Sequence, residues 1–229
     1  MHTLALNHTP HLDARLAAAA NLVLSEGVVA DIGCDHGKLT AYLACQGKHK
    51  KIIAADLRPG PLSVAQKTCQ EAGCSDRVEF RLGDGLQVLA PGEAQSIVLA
   101  GVSALTTIQI LEQAPWIKTE RVRLVLVPAT KPEVLRQWLW EQGFSLVEEE
   151  LAFAAGRWYA VIAAEYTGTP KQASLLECHL GLHGASKEAK GYRDALRGRL
   201  EKLSRGLQAD PEKQQQVYQL LNQLAAMDE

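Results

Sequence analysis

The sequence predicts an α/β protein built on a mainly parallel sheet, finished by an antiparallel hairpin and followed by a helical tail. Three observations carry that expectation. Five short apolar runs, each ending near a glycine, a proline or an acid, are separated by segments with helical periodicity. Two longer β-type runs then lie back to back across Ala154-Ala155-Gly156-Arg157. Beyond Thr167-Gly168-Thr169-Pro170 the apolar residues step by three and four only, which is helical spacing.

Each element has its own signal. Leu12, Leu16, Ala19, Ala20 and Val23 share a helical face, so an opening helix is expected over 11–25. Val28–Ile32 is the first strand, and residues 37–46 are the helix after it. Lys51–Asp56 is the second strand, closed by Arg58-Pro59-Gly60-Pro61; a helix over 62–72 follows and stops near Gly73. Val78–Leu82 is the third strand and runs into Gly83-Asp84-Gly85. Ser96–Ala100 is the fourth, followed by Gly101 and a helix over 104–113. Residues 122–127 are the fifth strand, ending at Pro128, and a helix over 132–142 stops at Gly143. Residues 144–153 and 158–165 form the hairpin, making seven strands. In the tail, Tyr192, Leu196, Leu200, Leu203 and Leu207 form one stripe, and Val217, Leu220, Leu221 and Leu224 a second. Asp210 is placed to cap the second helix, with Pro211 at its first position. The expected organisation is a cofactor-binding domain over 1–166 and a helical hairpin domain over 171–229.

Composition narrows the class. The chain has 229 residues, 47% hydrophobic, enough for one α/β domain and an appendage. A net charge of −2 carries no global signal for nucleic acid, although an average can hide a patch. The five cysteines form no C-x-x-C pair, which argues for reduced thiols in a cytoplasmic protein rather than disulfides or a metal site. No apolar run of membrane-spanning length is present, and the N-terminus lacks a signal-peptide layout.

The chemistry concentrates in Val28-Val29-Ala30-Asp31-Ile32-Gly33-Cys34-Asp35-His36-Gly37. A strand feeds a glycine turn that carries two carboxylates. A dinucleotide fingerprint, G-x-G-x-x-G, uses bare backbone to approach a pyrophosphate. Here Asp35 takes the place of the middle glycine, and Asp31 stands two residues before Gly33. Carboxylates repel a pyrophosphate and attract a cation. S-adenosylmethionine (SAM) carries an ammonium and a sulfonium and no phosphate, so this turn favours SAM over NAD and methyl transfer over hydride transfer. Asp31 and Asp35 are the candidates for the SAM amino group, and Gly33 and Gly37 allow close backbone approach. His36 reads as a loop-shaping or SAM-contacting residue.

Other candidates fall at neighbouring strand ends. Asp56 closes the second strand 23 residues after Gly33, where an acid hydrogen-bonds ribose hydroxyls in such folds. Asp84, between Gly83 and Gly85, can accept from an adenine amino group, while the glycines leave room for the ring; an ordinary glycine turn is the alternative. Leu57, Ala100 and Gly101 complete the expected cofactor contacts. In the tail, Lys187, Lys190, Arg193, Arg197, Arg199, Lys202 and Arg205 outnumber three intervening acids, Glu188, Asp194 and Glu201. Lys190, Arg193 and Arg197 share one helical face, which reads either as a solvated surface or as phosphate contact with a nucleic acid.

With these motifs in place, the chain resembles the bacterial tRNA adenine-N1 methyltransferases of the TrmK type over nearly its whole length. Arg15-Leu16 resembles the family's R-L start, and Ala30-Asp31-Ile32-Gly33-Cys34-Asp35-His36 its A-D-I-G-S-D-H signature. Gly60-Pro61 follows the second strand as in the family. Arg81-Leu82-Gly83-Asp84-Gly85-Leu86 matches R-L-G-D-G-L, and Leu135-Arg136-Gln137-Trp138-Leu139 looks like its L-R-x-W-L helix. The resemblance implies a class I SAM-dependent methyltransferase fold, Rossmann-like, with SAM as cofactor and tRNA as partner. It also implies methylation of adenine N1 at position 22, with Asp31 and Asp35 as the nearest candidates for a catalytic role. No metal and no membrane association are expected.

The departures lie on the acceptor side. The family's A-G-M-G-G is Ala100-Gly101-Val102-Ser103-Ala104 here, and its Q-P-N is Val127-Pro128-Ala129. Ser103 and Ala104 are expected to restrict base entry, and Ala129 to remove an amide from the base edge. Cys34 stands for Ser, and Asp56 for Glu. The alternative reading is a diverged relative with another acceptor, or a non-catalytic protein that binds SAM and RNA.

Overall fold

Strands that are largely apolar must be covered on both faces, and this chain supplies five parallel strands, four of them largely apolar. The computed structural model describes residues 9–118, 121–207 and 210–227. The expected spans 1–166 and 171–229 therefore begin and end, respectively, outside the described residues. The strands are β1 (Val28–Ile32), β2 (Lys51–Asp56), β3 (Val78–Leu82), β4 (Ser96–Ala100), β5 (Arg123–Val127), β6 (Phe144–Ala154) and β7 (Arg157–Tyr166). They form one seven-stranded sheet in the order β3-β2-β1-β4-β5-β7-β6. β1 to β5 are parallel, while β7 runs antiparallel to both β5 and β6.

The helices are α1 (Ala14–Leu22), α2 (Lys38–Gln46), α3 (Pro59–Glu71), α4 (Ala104–Glu112), α5 (Pro132–Glu141), α6 (Leu175–Leu180), α7 (Lys190–Gly206) and α8 (Pro211–Ala226). Alternation along each strand divides the core into two layers. Ala30, Ile32, Leu124 and Leu126 pack with Leu111, Leu135 and Leu139 of α4 and α5. Val29, Val125 and Val127 pack with Ala19 and Leu22 of α1 and Leu39 and Leu43 of α2.

Several boundaries differ from the sequence expectation. The opening helix is shorter than 11–25: the Asp13 carboxylate accepts from the Leu16 amide at 3.0 Å and starts the helix, and Val23 turns extended at its end. α3 starts at Pro59, so the Pro-Gly-Pro stretch is its first turn rather than a loop. A missing N–H costs nothing in a first turn, where that group has no helical partner. β3 reaches β4 through a short 3-10 turn, Gly85–Val88, not through a full helix. The hairpin turn is Ala155-Gly156, both left-handed at φ 49° and 75°, the backbone that suits a two-residue β-hairpin.

The tail docks through a short helix with its own capping signal. Ser174 and Glu177 cap α6 reciprocally, an S-x-x-E box. This places Cys178 in the core layer of α4 and α5. Beside it, the fully buried Arg136 guanidinium and Glu149 carboxylate pair at 2.6 Å. Arg136 also donates to the carbonyls of Cys178 and His179 at 2.7 and 3.1 Å, and Glu149 accepts from the Leu182 amide at 2.6 Å. A Cβ at Gly181 would run into both charged groups, so that corner accepts only glycine. α7 and α8 close on Leu196, Leu200, Val217, Leu220 and Leu224 together with Leu180. Asp210 caps α8 as expected, with Pro211 at its start. Leu203, expected in the stripe, is 48% exposed because the packed seam turns away from it.

Candidate functional site

The site is built where β1 and β2 end side by side. Asp31 lies just before the turn, only 3% exposed, and its carboxylate accepts a 2.6 Å hydrogen bond from the Thr40 hydroxyl of α2. Burial pushes its pKa up to about 6 against the Thr40 bonds that pull it down, and nearby Asp56 adds to the push. The turn that follows needs left-handed backbone at three positions: Gly33 (φ 74°), Asp35 (φ 48°) and Gly37 (φ 68°). Glycine at Gly37 is dictated by packing as well, since an added Cβ would lie 2.7 Å from the Ala65 backbone of α3. The amides of Gly33 and Cys34 both donate to the Ala55 carbonyl, which ties the turn to β2.

Asp56 is held from both sides. Its carboxylate accepts from the Arg58 amide at 2.9 Å and the Asp35 amide at 3.3 Å. The Asp35 side chain stands outside the turn and takes His36 Nδ1 at 2.6 Å, both groups being exposed. On the far side of Asp56, the Gly83 amide donates to its carbonyl at 3.1 Å. Asp84 is exposed there, and Val88 and Ile110 crowd Gly83 and Gly85 so that larger residues do not fit without movement. Leu57 and Leu82, 62% and 59% exposed, present apolar walls beside these carboxylates. A cavity of about 500 Å³ opens alongside, lined by Arg81, Leu82, Gly83, Asp84, Gln87 and Val88. A second cavity, of about 510 Å³, lies at the opposite end of the strands, around Val28, Lys51 and Val78, and touches none of the candidate residues.

The structure thus gathers Asp31, Gly33, Asp35, His36, Gly37, Asp56, Leu57, Gly83, Asp84 and Gly85 at one edge of the sheet. Ala100 and Gly101 end the adjacent strand β4. Thr40 was missed from sequence, because nothing local marks a helical threonine nine residues on as the partner of Asp31.

The acceptor-side expectation needs correction. The two altered loops clasp each other through backbone: Gly101 N to Val127 O at 3.0 Å, Ala129 N to Val102 O at 2.7 Å, and Ala104 N to Thr130 O at 3.2 Å. Ser103 caps α4, its hydroxyl accepting from the Thr106 amide at 3.1 Å. Ala104 is fully buried in the core beneath. Their side chains are occupied in starting a helix and filling the core, so they do not narrow an entrance. Ala129 is half-buried.

The basic face of α7 also changes. Arg193 is 5% exposed and donates to the carbonyls of Gly184 and Ser186 at 3.0 and 2.5 Å, so it holds the 181–186 turn and does not face solvent. Arg197 reaches Asp194 and the Leu224 carbonyl of α8. Lys190 is exposed and pairs with Asp194 at 3.0 Å. Among the described residues, no group of three or more His, Cys, Asp or Glu is arranged to hold a metal ion. No described helix is long and apolar enough to cross a membrane.

A family model described as a methyltransferase domain matches residues 12–162. The chain is 32% identical to the tRNA (adenine(22)-N(1))-methyltransferase of Bacillus subtilis over 154 residues, 67% of this chain and 65% of that enzyme. The match therefore spans just under two thirds of that relative's length. Among solved structures, the Bacillus subtilis tRNA methyltransferase TrmK superposes with a TM-score of 0.81 at 23% identity, covering 96% of this chain and 99% of TrmK. A Streptococcus pneumoniae protein solved in complex with S-adenosyl-L-methionine gives 0.82 at 24% identity, covering 95% and 99%. The likeness in fold includes the helical tail. The chain belongs to the methyltransferase-domain family, and the Bacillus subtilis tRNA (adenine(22)-N(1))-methyltransferase is among its relatives.

Proposed function

We propose that this protein is a SAM-dependent tRNA methyltransferase that modifies adenine N1, at position 22 of the tRNA. The observation that carries the reading is the convergence of Asp31, Asp35 and Asp56 on one glycine turn, a cluster that suits a cationic nucleoside and repels a pyrophosphate. The relatives' activity supports the choice of tRNA.

When bound, SAM supplies a sulfonium-activated methyl group, which the N1 lone pair of adenine accepts without prior deprotonation, leaving S-adenosylhomocysteine. The work left to the chain is alignment and charge. Asp31, kept in place by Thr40, takes the ammonium end. The Asp56 carboxylate, fixed by two amides, accepts from the ribose hydroxyls. Asp84 accepts from the adenine amino group between the walls of Leu57 and Leu82. Gly33, Gly37, Gly83, Gly85 and Gly101 leave bare backbone against the ligand, with Ala100 beneath. Asp35 and His36 border the methyl side, where a carboxylate favours the positive charge that develops on the adenine. The target base must leave its stack to arrive there.

In this proposal residues 1–166 form the cofactor-binding unit and 171–229 a helical unit that adds Lys190 to the RNA contact. A cytoplasmic setting suits the five free thiols.

The test is incubation of the purified protein with SAM and an unmodified tRNA transcript. Nucleoside mass spectrometry should detect 1-methyladenosine, and primer extension should stop at position 22, because the methyl blocks base pairing. A transcript with guanine at that position should stay unmodified. Binding of SAM without any methyl incorporation would overturn the reading.

A further inference from the structure

We propose that Arg15 and Arg157, gathered on the ring of Tyr159, form a phosphate clamp that holds the RNA strand at the target nucleotide. The proposal rests on the reading of the protein as a tRNA methyltransferase and assigns the side of the site that the cofactor residues leave open.

Three elements distant in sequence meet here. The end of α1 is fixed at the start of β4 by the Leu24 amide, which donates to Ser96 Oγ at 3.0 Å. The beginning of the helix, with Arg15, therefore stands over the carboxyl ends of the strands. A Cβ built on Gly101 would lie 3.8 Å from Arg15 Nη1, so the guanidinium sits against bare backbone where β4 ends. β7 runs antiparallel to β5, with Ile162 opposite Leu126. Arg157, the first residue of β7, thus projects past the end of β5 toward the same edge.

Tyr159 joins the two cations. Its ring is mostly buried, with Arg157 Cζ 4.5 Å and Arg15 Cζ 5.6 Å from its centroid. Arg157 Nε donates to the Tyr159 hydroxyl at 2.6 Å, which fixes the guanidinium. Asp13 pairs with Arg15 at 3.1 Å, but among the described residues no carboxylate pairs with Arg157. Two guanidinium groups on one ring, with a single carboxylate beside them, leave a net positive charge and free N–H donors. A phosphate matches that fork in charge and geometry.

The position fits the acceptor. The carboxylate candidates for the cofactor end β1, β2 and β3, and the Arg15–Tyr159–Arg157 group flanks β5 and β7 and meets the cofactor candidates only at Gly101, where β4 ends, across the point where strand order reverses. A base entering beside Gly101 brings its own backbone phosphate with it. The strand that carries the base must therefore pass this group.

The experiment compares Arg15→Ala, Arg157→Ala, their double variant and Lys67→Ala, a charge loss at an exposed site on α3. tRNA binding is measured across about 50–200 mM salt, together with steady-state methylation and S-adenosylhomocysteine affinity. Each arginine loss should lower the slope of log affinity against log salt by roughly 0.7–0.9 and raise the KM for tRNA roughly tenfold or more. S-adenosylhomocysteine affinity should hold within about twofold of the parent, and the turnover number should change far less than KM. Arg157→Lys keeps the charge and loses the fork, so it should keep the slope while its KM rises, a split that a folding defect does not produce. If the parent protein methylates tRNA and the arginine variants behave like Lys67→Ala, the clamp is refuted and the functional reading stands. If the parent protein neither binds nor methylates tRNA, the functional reading fails and takes the clamp with it.

Discussion

Asp31 makes the pH dependence of ligand binding a sharp test of the site. Its carboxyl is 3% exposed, and burial, with the Asp56 charge beside it, lifts its pKa from 3.8 to about 6. The sign follows from which state holds the proton. Between about pH 4 and 6 the folded protein binds a proton that the unfolded chain has released, so stability falls as pH rises through this window. Above pH 6 the ionised group costs the unliganded protein about 3 kcal/mol. Asp31→Asn should remove that cost, since its amide oxygen still accepts from Thr40. At pH 7 the unliganded variant should gain up to about 3 kcal/mol, roughly 6–12 °C in Tm for a chain of this size. Binding should move the other way. The ammonium of S-adenosylhomocysteine stays charged below about pH 7.5 and prefers ionised Asp31. At pH 5 only about a tenth of Asp31 is ionised, so affinity should fall about tenfold between pH 7 and pH 5. Calorimetric titrations at pH 5, 6 and 7, on the parent and on Asp31→Asn, read this directly. The variant should bind weakly and without that slope. A slope that persists unchanged in the variant places the cause outside Asp31 and refutes the argument. A flat parent profile refutes it too.

Other expectations follow from single contacts. Arg136→Ala strands the buried Glu149 carboxylate and should destabilise the protein by about 3–5 kcal/mol, visible as a large drop in Tm. Arg193→Ala should lower Tm while leaving the salt dependence of tRNA binding unchanged, because that guanidinium holds the 181–186 turn; Lys190→Ala should do the reverse. Gly37→Ala should abolish S-adenosylhomocysteine binding in calorimetry, since its Cβ meets the α3 backbone and its φ is left-handed. Ala129→Asn should raise adenine-N1 methylation about 2- to 10-fold if it restores one base-edge hydrogen bond worth about 0.5–1.5 kcal/mol. An unchanged rate would remove Ala129 from the acceptor pocket.

The strands and the glycine turn were legible in the sequence because their causes are local. A strand buried on both faces must be a largely apolar run, and β1, β2 and β4 are that, with polar residues only at Asp31 and at the strand ends Lys51, Asp56 and Ser96. A turn with left-handed residues asks for glycine, and Gly33 and Gly37 stand where it does. The acids that end the strands could be read as one site because parallel strands bring their carboxyl ends to one edge. The same logic placed Asp210 and Pro211 at a helix start.

Tertiary structure decided what each face meets. Arg193 lies on a helical face with Lys190 and Arg197, and periodicity cannot say that the 181–186 turn folds over it. Ala104 and Ser103 read as pocket residues until the two loops clasp and assign one to the core and the other to a helix cap. Thr40 on Asp31, Arg136 on Glu149, and Arg15 with Arg157 on Tyr159 are pairings across 9, 13 and 142 residues. Backbone stereochemistry acts over a few residues and is written in the sequence nearby. Burial and charge pairing depend on which distant segment arrives to cover a side chain, and only the packed sheet and its helices settle that.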